Sequence, residues 1–309
     1  MLVAIFALAL SCLTSATPLK RAPGLAITLS SNEVSTNSIE DISLTATVEN
    51  TVIFLDSFLP TRSFLVTKDG SEVAFKGVLV QLASTGLTEE SFVTIPAGGA
   101  VSATHENIAQ LYDFESAGTG TFSFTPTNDF QVFSADTTIH NIADTVRISA
   151  PVPTVHVNVI SDVMRRDLNV LDKRAVANCS DTSSSPFIVT SSLASLAANY
   201  ISTRGADDPL FVAYFGAQNI SRPLSVFQAI ESENDPERTL NCSDPYDVCW
   251  LNVIAYTVLS TTNIYYCSIF YNEVAPNSLC EGADVAARNL RGGTTLHELT
   301  HAVANTTDI

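Results

Sequence analysis

Cysteine is absent from more than half of this sequence, between residue 17 and Arg174. Cys12 is one of the 6 cysteines, and the other five lie in the last part of the chain: Cys179, Cys242, Cys249, Cys267 and Cys280. Disulfides persist in oxidising compartments, and a cysteine-free module followed by a disulfide-bearing one is the simplest account of this distribution. The five cysteines of the last part are an odd number, so one of them is left without a partner among the other four.

Basic residues are scarce as well. The chain has 15 Lys and Arg against 32 Asp and Glu, its formal net charge is -17, and no lysine follows Arg174. This acidity predicts that neither nucleic acid nor an anionic membrane surface is a partner, because both repel negative charge. It is compatible with simple solubility and also with a preference for basic substrates.

Long hydrophobic runs are missing too. An apolar stretch over residues 2–10 is followed by small residues that end at Thr14-Ser15-Ala16. It is too short to be a membrane anchor, and no later segment reaches the roughly 18 apolar residues that span a bilayer. The layout predicts a signal peptide over residues 1–16, although no positive charge precedes the apolar run. The protein is therefore predicted to be secreted.

Dibasic pairs mark the chain at Lys20-Arg21, Arg165-Arg166 and Lys173-Arg174. A kexin-type processing protease of the secretory pathway cleaves after such pairs. The last pair falls where the composition changes, so we interpret it as the end of a propeptide over residues 17–174. Cleavage after Arg174 would release a module over residues 175–309.

The predicted propeptide has strand-like alternation of apolar and polar residues, with turn signals between the strands. Short strands at regular intervals predict an all-β, immunoglobulin-like sandwich. The predicted strands lie at residues 25–29, 42–48, 63–67, 120–124 and 154–159.

The part after Arg174 has a different pattern. Helices are predicted at residues 190–201 and 222–230, strands at 252–257 and 264–270, and a last helix from about Thr294. Residues 209–215 are apolar and fit either a helix or a strand. This mixture predicts an α+β fold.

The last predicted helix contains His297-Glu298-Leu299-Thr300-His301, an H-E-x-x-H pattern. Residues four apart on a helix lie on one face, so both imidazoles can bind one zinc ion. Glu298 can then act on a zinc-activated water as general base and later as general acid. The alternative interpretation is that both histidines are ordinary surface or core residues that bind no metal. The presence of Glu298 between them argues against it.

A catalytic zinc needs a third protein ligand. No histidine follows His301, which excludes a third histidine ligand of the metzincin type. Asp308 is the only acidic side chain after His301. The other three histidines, His105, His140 and His156, lie in the β-rich part without ligand spacing.

The module resembles the deuterolysin, or aspzincin, family of secreted fungal zinc metalloendopeptidases. The resemblance lies in the segment 296–302, the segment 252–257 and the order of four cysteines: Cys242, Cys249, Cys267 and Cys280. It extends more loosely to a β-rich propeptide that ends in Lys-Arg. It implies a zincin-like catalytic domain with His297, His301 and Asp308 as zinc ligands and Glu298 as general base.

The family's third ligand stands in a Gly-Thr-x-Asp-x-x-Tyr-Gly segment, and here Asn305-Thr306-Thr307-Asp308 has Asn in place of Gly. The resemblance also implies the disulfides Cys179–Cys242 and Cys249–Cys267. The chain ends at Ile309, before the family's oxyanion-stabilising tyrosine and the cysteine that would pair with Cys280. We therefore expect this sequence to be C-terminally truncated, and only a protein that truly stops at Ile309 would have an impaired zinc site.

Two functions compete at this point. The first is the precursor of a zinc endopeptidase, monomeric, with one Zn2+ per chain, protein or peptide substrates, and its own propeptide as inhibitor. A cysteine-free propeptide cannot place a thiolate on zinc, so inhibition would be steric. Acidic residues such as Glu231 and Glu233 are either solvated loop residues or selectors of basic substrates. The second function is a non-catalytic secreted binding or adhesion module joined to a degenerate protease.

Overall fold

The structure is a computed structural model that describes residues 26–49, 52–54, 61–83, 87–88, 91–95, 99–132, 145–164, 184–250, 252–274 and 290–308. Its fold is mixed α+β, as predicted. The predicted signal peptide, the Lys173-Arg174 pair, Cys179, Cys280 and His140 lie outside the described residues. Within the described ranges, no helix is long and apolar enough to cross a membrane.

Strands dominate the first part of the chain. In chain order they are β1 (Ala26–Ser31), β2 (Ser35–Ser38), β3 (Leu44–Glu49), β4 (Val52–Phe54), β5 (Phe64–Lys68), β6 (Ser71–Glu72), β7 (Val78–Leu82), β8 (Phe92–Thr94), β9 (Ala100–His105), β10 (Gly120–Pro126), β11 (Asp129–Val132), β12 (Val146–Ser149) and β13 (Val155–Asp162). Two short helices, α1 (Ile108–Leu111) and α2 (Phe114–Ala117), precede β10.

All of these strands except β7 form three sheets, with the orders β1-β3-β9, β2-β13-β10-β5-β6 and β12-β11-β4-β8. Their pairs are antiparallel except β13 with β2, which is parallel. All five predicted strands are confirmed within one or two residues at their starts. The β-rich character of this part is therefore confirmed, and its comparison with an immunoglobulin sandwich stays a prediction.

The core of the first part is aromatic. Phe122 and Phe124 alternate along β10 with more exposed residues, so both face inward and are fully buried. Phe114 packs edge-on against Phe122 with ring centroids 5.0 Å apart. Buried Tyr112 donates its hydroxyl hydrogen to the carbonyl of Phe64 at 2.5 Å. This bond satisfies the polar end of a side chain whose ring contributes apolar burial.

The second part is a helical layer on a small sheet. Its helices are α3 (Ser184–Arg204), α4 (Pro209–Phe215), α5 (Ser221–Glu231) and α6 (Arg291–Ala304), and its strands are β14 (Leu240–Asn241), β15 (Val253–Val258) and β16 (Asn263–Tyr266). The predicted helices at 190–201 and 222–230 are confirmed, as is the strand at 252–257. The segment 209–215 is a helix, because Asp208 caps it by accepting from Leu210 N at 2.9 Å.

One predicted element is partly wrong. The strand expected over residues 264–270 stops at Tyr266, and Ser268–Asn272 form a 3-10 helix. Cys267 is bonded to Cys249, and its carbonyl accepts from Phe270 N at 3.1 Å. The chain therefore turns at the disulfide, while the apolar residues on both sides stay buried and keep a strand-like pattern.

A strand from the first part completes the sheet of the second part. The order is β14-β16-β15-β7, and β15 pairs with both β16 and β7 in antiparallel fashion. Helix α6 packs on one face of this sheet. Leu299 and Ala302 of α6 share a buried cluster with Ile254 and Ala255 of β15.

Candidate metal centre

Helix α6 presents one buried face to the sheet. Thr295, Glu298, Leu299 and Ala302 follow the i, i+3, i+4, i+7 spacing of a single helix face, and all four are buried. The hydroxyl of Thr295 is also hydrogen-bonded to the hydroxyl of Tyr266 on β16, with the two oxygens 3.0 Å apart. The helix is thereby held in one rotational setting, which fixes where the neighbouring histidines project.

The two histidines of the H-E-x-x-H pattern lie side by side. Their Nε2 atoms are 3.0 Å apart, and their rings are perpendicular with centroids 4.6 Å apart. The His301 side chain is 2 % exposed and the His297 side chain 36 %. One imidazole is therefore buried against the core while the other borders solvent.

A reversal of the chain follows the helix. Asn305 adopts the left-handed conformation, with φ 50° and ψ 40°, and its N–H donates to the His301 carbonyl at 3.0 Å. This is the usual way to end a helix, and Gly or Asn is the preferred residue there. The replacement of Gly by Asn noted in the sequence therefore keeps the conformation that the position requires.

The reversed segment holds His301 in one tautomer. Nδ1 of His301 lies 2.9 Å from the carbonyl oxygen of Thr306. A carbonyl can only accept, so Nδ1 carries the hydrogen and the lone pair is on Nε2. The Thr306 and Thr300 hydroxyls are 2.7 Å apart and brace this turn against the helix. Such outer contacts orient metal-binding histidines.

The same reversal brings Asp308 to the histidines. Its carboxylate oxygens lie 3.2 Å from His297 Nε2 and 3.5 Å from His301 Nε2. The ligand atoms of these three side chains lie within 4.8 Å of one another, and within the described ranges the three side chains are the group that could hold a metal ion. A tetrahedral zinc with bonds of about 2.0–2.1 Å has ligand-to-ligand edges of roughly 3.3 Å. Two imidazoles and a carboxylate at these separations fit that ion.

Opposite charges and burial act on these three side chains. Burial lowers the pKa of His297, but the hydrogen bond to Asp308 and the charges of Glu298 and Asp308 outweigh it and raise that pKa. Burial dominates at His301 and lowers its pKa. For Asp308, burial is outweighed by the hydrogen bond to His297 and by both histidines, so its pKa is lowered. The group therefore favours an ionised Asp308, the form that binds metal.

Glu298 lies on the buried face of α6 that packs against β15. It is fully buried, and burial raises the pKa of its carboxyl to about 7, against the opposing effects of His297 and of Thr257. The Thr257 hydroxyl donates to Oε2 at 2.6 Å. Oε1 is buried and has no hydrogen-bond partner among the described residues. A carboxylate with a pKa near 7 and one free oxygen can both take up and release a proton at neutral pH.

Sequence reasoning placed Thr257 and Thr306 in segments that resemble the family but assigned neither of them a role in the site. Thr257 is a hydroxyl residue inside β15, every other residue of which is apolar or aromatic and buried. That isolated polar side chain was the available signal. The role of the Thr306 carbonyl had no signal in the sequence, because a backbone acceptor is the same at every residue.

Aromatic residues after β15 and the histidines of the first part have structural roles where the structure describes them. Tyr265, Tyr266 and Phe270 are buried in the core. His105 packs edge-on against Phe64, and His156 is hydrogen-bonded to Ser123 at 2.8 Å.

Glu233 differs from the solvated loop residue that was expected. Its side chain is only 10 % exposed, and it forms an ion pair with Arg238, whose side chain is 9 % exposed. Glu231 is exposed, in agreement with the prediction.

The disulfide between Cys249 and Cys267 confirms one of the two implied pairings. Cys242 is also disulfide-bonded, and its predicted partner Cys179 lies outside the described residues.

An H-E-x-x-H helix, a nearby carboxylate and a small mixed α+β domain are the features of a metallopeptidase. The chain matches the deuterolysin metalloprotease (M35) family over residues 1–307, and it belongs to that family. The resemblance drawn from the sequence is therefore confirmed, and the chain is assigned as a metalloendopeptidase. This assignment favours the peptidase over the non-catalytic alternative.

Named relatives cover most of the chain. A neutral protease 2 homolog of Phaeosphaeria nodorum is 29% identical over 292 residues, which are 86% of this chain and 77% of that protein. A homolog of Aspergillus fumigatus is 28% identical over 293 residues, 88% of this chain and 76% of its own length. Neutral protease 2 of Aspergillus oryzae is 26% identical over 324 aligned positions, which cover 97% of this chain and 85% of that protein.

Proposed function

We propose that this chain is the precursor of a secreted, zinc-dependent metalloendopeptidase that hydrolyses peptide bonds in proteins and binds one zinc ion per chain. The observation that carries the proposal is the convergence of His297, His301 and Asp308, whose ligand atoms lie within 4.8 Å of one another. The buried carboxyl of Glu298 on the same helix supports it.

In this mechanism the three side chains hold the metal and Glu298 moves the proton. A zinc ion bound here would supply a Lewis acid that lowers the pKa of water toward about 7 and polarises the scissile carbonyl. Glu298 accepts a proton from the attacking water and then delivers it to the amine that leaves. The hydrogen bond from Thr257 to Oε2 holds the carboxylate so that Oε1 is the oxygen that exchanges the proton.

Substrate reaches the site from the side of His297 and Asp308. Their side chains are 36 % and 44 % exposed, whereas His301 and Glu298 are buried. A catalytic metal site needs one position open to water or substrate, and this side provides it.

The precursor organisation remains as the sequence predicts. Residues 1–16 direct secretion, residues 17–174 form a propeptide that inhibits in cis, and a kexin-type protease cleaves after Arg174. The released module acts as a monomer. Processing of the secreted chain would leave Ala175 as its N-terminus, and N-terminal sequencing measures this directly.

A preference for basic substrates is a narrower proposal. Glu231 is exposed and available for this role, whereas Glu233 is already paired with Arg238. Glu231→Lys should reduce cleavage beside basic residues relative to neutral ones, with Glu237→Lys as an exposed control. An unchanged ratio of the two kcat/KM values would remove the idea.

The catalytic proposal is tested by Glu298→Gln in the processed protein. We expect kcat/KM to fall by at least about a hundredfold, the usual contribution of a general base, while zinc still binds at one ion per chain by elemental analysis. His297→Ala is the matched control, because it should lose zinc and activity together. Peptidase activity that resists both a chelator and Glu298→Gln would contradict the proposal.

A further inference from the structure

Strand β7 belongs by sequence to the predicted propeptide, yet it pairs with the catalytic sheet. Its partners on β15 run from Val78 opposite Val258 to Leu82 opposite Val253, with a bulge at Ile254. The contact extends past both strand ends. Leu259 N donates to the Gly77 carbonyl at 3.0 Å, and Ala83 N donates to the Asn252 carbonyl at 2.7 Å.

Without β7, the strand β15 would be an edge of its sheet. All six of its residues are buried, and its other neighbour is β16. A buried, apolar strand with unpaired N–H and C=O groups accepts another strand readily. Extended peptides commonly bind proteins in this way, by adding to a free sheet edge.

This edge lies beside the proposed catalytic carboxyl. Residues opposite one another in an antiparallel pair project to the same face. Leu79 is opposite Thr257, and the Thr257 hydroxyl donates to Glu298. Ala83 lies in the same buried cluster as Leu299 and Ala302 of helix α6. The strand therefore runs along the helix that carries the two histidines.

The two parts of the chain are joined through this strand. Leu79 belongs to the aromatic core of the first part, whereas Val78 packs with Tyr256 and Val258 of the catalytic sheet. The segment 77–83, Gly-Val-Leu-Val-Gln-Leu-Ala, has no charged side chain in a protein of net charge -17. It can thus lie against an acidic domain without repulsion.

We propose that residues 77–83 are the inhibitory element of the precursor, which occupies as an added strand the sheet edge where an extended peptide substrate would otherwise lie. The inference rests on the proposed function and names the regulation of that site. Removal of residues 17–174 frees the edge of β15 from Asn252 to Leu259. Latency then depends on backbone pairing and not on a ligand for the metal.

The register identifies which backbone groups carry the pairing. Hydrogen-bonded pairs alternate with non-bonded pairs along an antiparallel ladder. Since Gly77 and Leu259 are bonded, the N–H groups of Leu79 and Gln81 face β15, and that of Val80 faces away from it. Gln81→Pro removes a pairing donor, and Val80→Pro is the matched control, because proline is tolerated where the N–H of an edge strand points outward.

The first measurement uses the intact, uncleaved chain and does not need turnover. Amide hydrogen exchange at Ala255, Thr257 and Leu259, which face β7, should accelerate at least tenfold in Gln81→Pro relative to Val80→Pro. The amides of Tyr256 and Val258 face β16 and serve as an internal control. Equal exchange in the two variants would overturn the proposed docking.

The second measurement is the peptidase activity of the same uncleaved chains. We expect activity to rise at least tenfold in Gln81→Pro and to stay at the low precursor value in Val80→Pro. The inhibitory role would be overturned if Gln81→Pro accelerated exchange without raising peptidase activity, in a protein that becomes active on removal of residues 17–174. A chain that stays inactive after that removal would count against the peptidase proposal alone, since the exchange result would still decide the docking.

A synthetic peptide gives a check that does not depend on folding of the variants. A labelled peptide with the sequence of residues 76–84 should bind the processed module, as measured by fluorescence anisotropy. N-methylation at Leu79 and Gln81 should weaken binding at least tenfold, whereas N-methylation at Val80 should not. Equal binding of the two methylated peptides would show that the edge is not used.

Discussion

Asn305 determines whether Asp308, the proposed third ligand, reaches the two histidines. Its left-handed backbone turns the chain back over the end of α6, so that Asp308 lies 3.2 Å from His297. A β-branched residue is strained in this conformation by about 1–3 kcal/mol. We therefore predict that Asn305→Val weakens zinc binding by about ten- to a hundredfold, as measured by competition with a chromophoric chelator.

Glycine is the matched control at this position. Asn305→Gly adopts the same conformation without strain, so its zinc affinity should stay close to that of the unaltered chain. If the valine and glycine variants bound zinc equally well, the left-handed turn would not be what places Asp308.

Glu273 gives a prediction about pH. Burial raises the pKa of its carboxyl from 4.5 to about 7, in spite of hydrogen bonds from Thr294 at 2.8 Å and the charge of Arg291. Between about pH 4.5 and 7 the folded protein keeps a proton that the unfolded chain has lost, so this group lowers stability as pH rises through that window. Glu273→Gln should therefore raise the melting temperature at pH 8 and change it little near pH 4.5.

Thermal unfolding at both pH values, in the presence of a chelator, measures the effect of Glu273 without any contribution from metal. Glu237→Gln on an exposed loop removes the same charge away from α6 and is the control. If Glu273→Gln raised the melting temperature by the same amount at the two pH values, the raised pKa would not be that of Glu273.

At the scale of single elements, the C-terminal end of α6 is held by Arg238. This side chain donates to the Ala302 carbonyl at 3.3 Å and forms its ion pair with Glu233. A cation at a helix C-terminus is favourable, and both charged side chains are almost completely buried. Glu233 thereby supports the helix that carries the histidines.

We predict that Glu233→Gln lowers the free energy of unfolding by about 3 kcal/mol, because loss of one partner leaves a buried charge poorly compensated. Chemical denaturation measures this value. Glu231→Gln, two residues away and exposed, should change it by less than about 0.5 kcal/mol. Equal effects of the two substitutions would show that the buried pair contributes nothing.

Local patterns predicted the elements that alternate cleanly and missed those that depend on a cap or a crosslink. Phe122 and Phe124 mark β10 by period two, and α6 follows from its spacing. Residues 209–215 were ambiguous because apolar residues fill every position, and the cap at Asp208 decides for the helix. Beyond Tyr266 the strand prediction was wrong, because the turn at Cys267 has no local signal.

At the scale of the whole molecule, zinc should stabilise the fold by mass action. A ligand that binds only the folded chain adds about 2.7 kcal/mol at a hundred times its Kd. We expect a rise in melting temperature with zinc that a chelator reverses and that is absent from a His297→Ala, His301→Ala double variant. An equal rise in the double variant would place the bound zinc elsewhere.

The sequence alone determined the family and the types and spacing of the proposed ligands. Two histidines four apart lie on one face of any helix, and the acidic residue behind them lies within reach of a short turn, so the candidate centre is local in sequence. The disulfide Cys249–Cys267 followed from the family resemblance and is present.

Only the tertiary structure decided what surrounds that centre. Thr257 reaches Glu298 from a strand 41 residues earlier, and β7 reaches β15 from the other part of the chain. Strand pairing uses backbone groups that are the same at every residue, so an edge strand does not reveal its partner in its own sequence. The contacts that set the environment of Glu298, and the strand that covers its sheet edge, therefore exist only once the chain has folded.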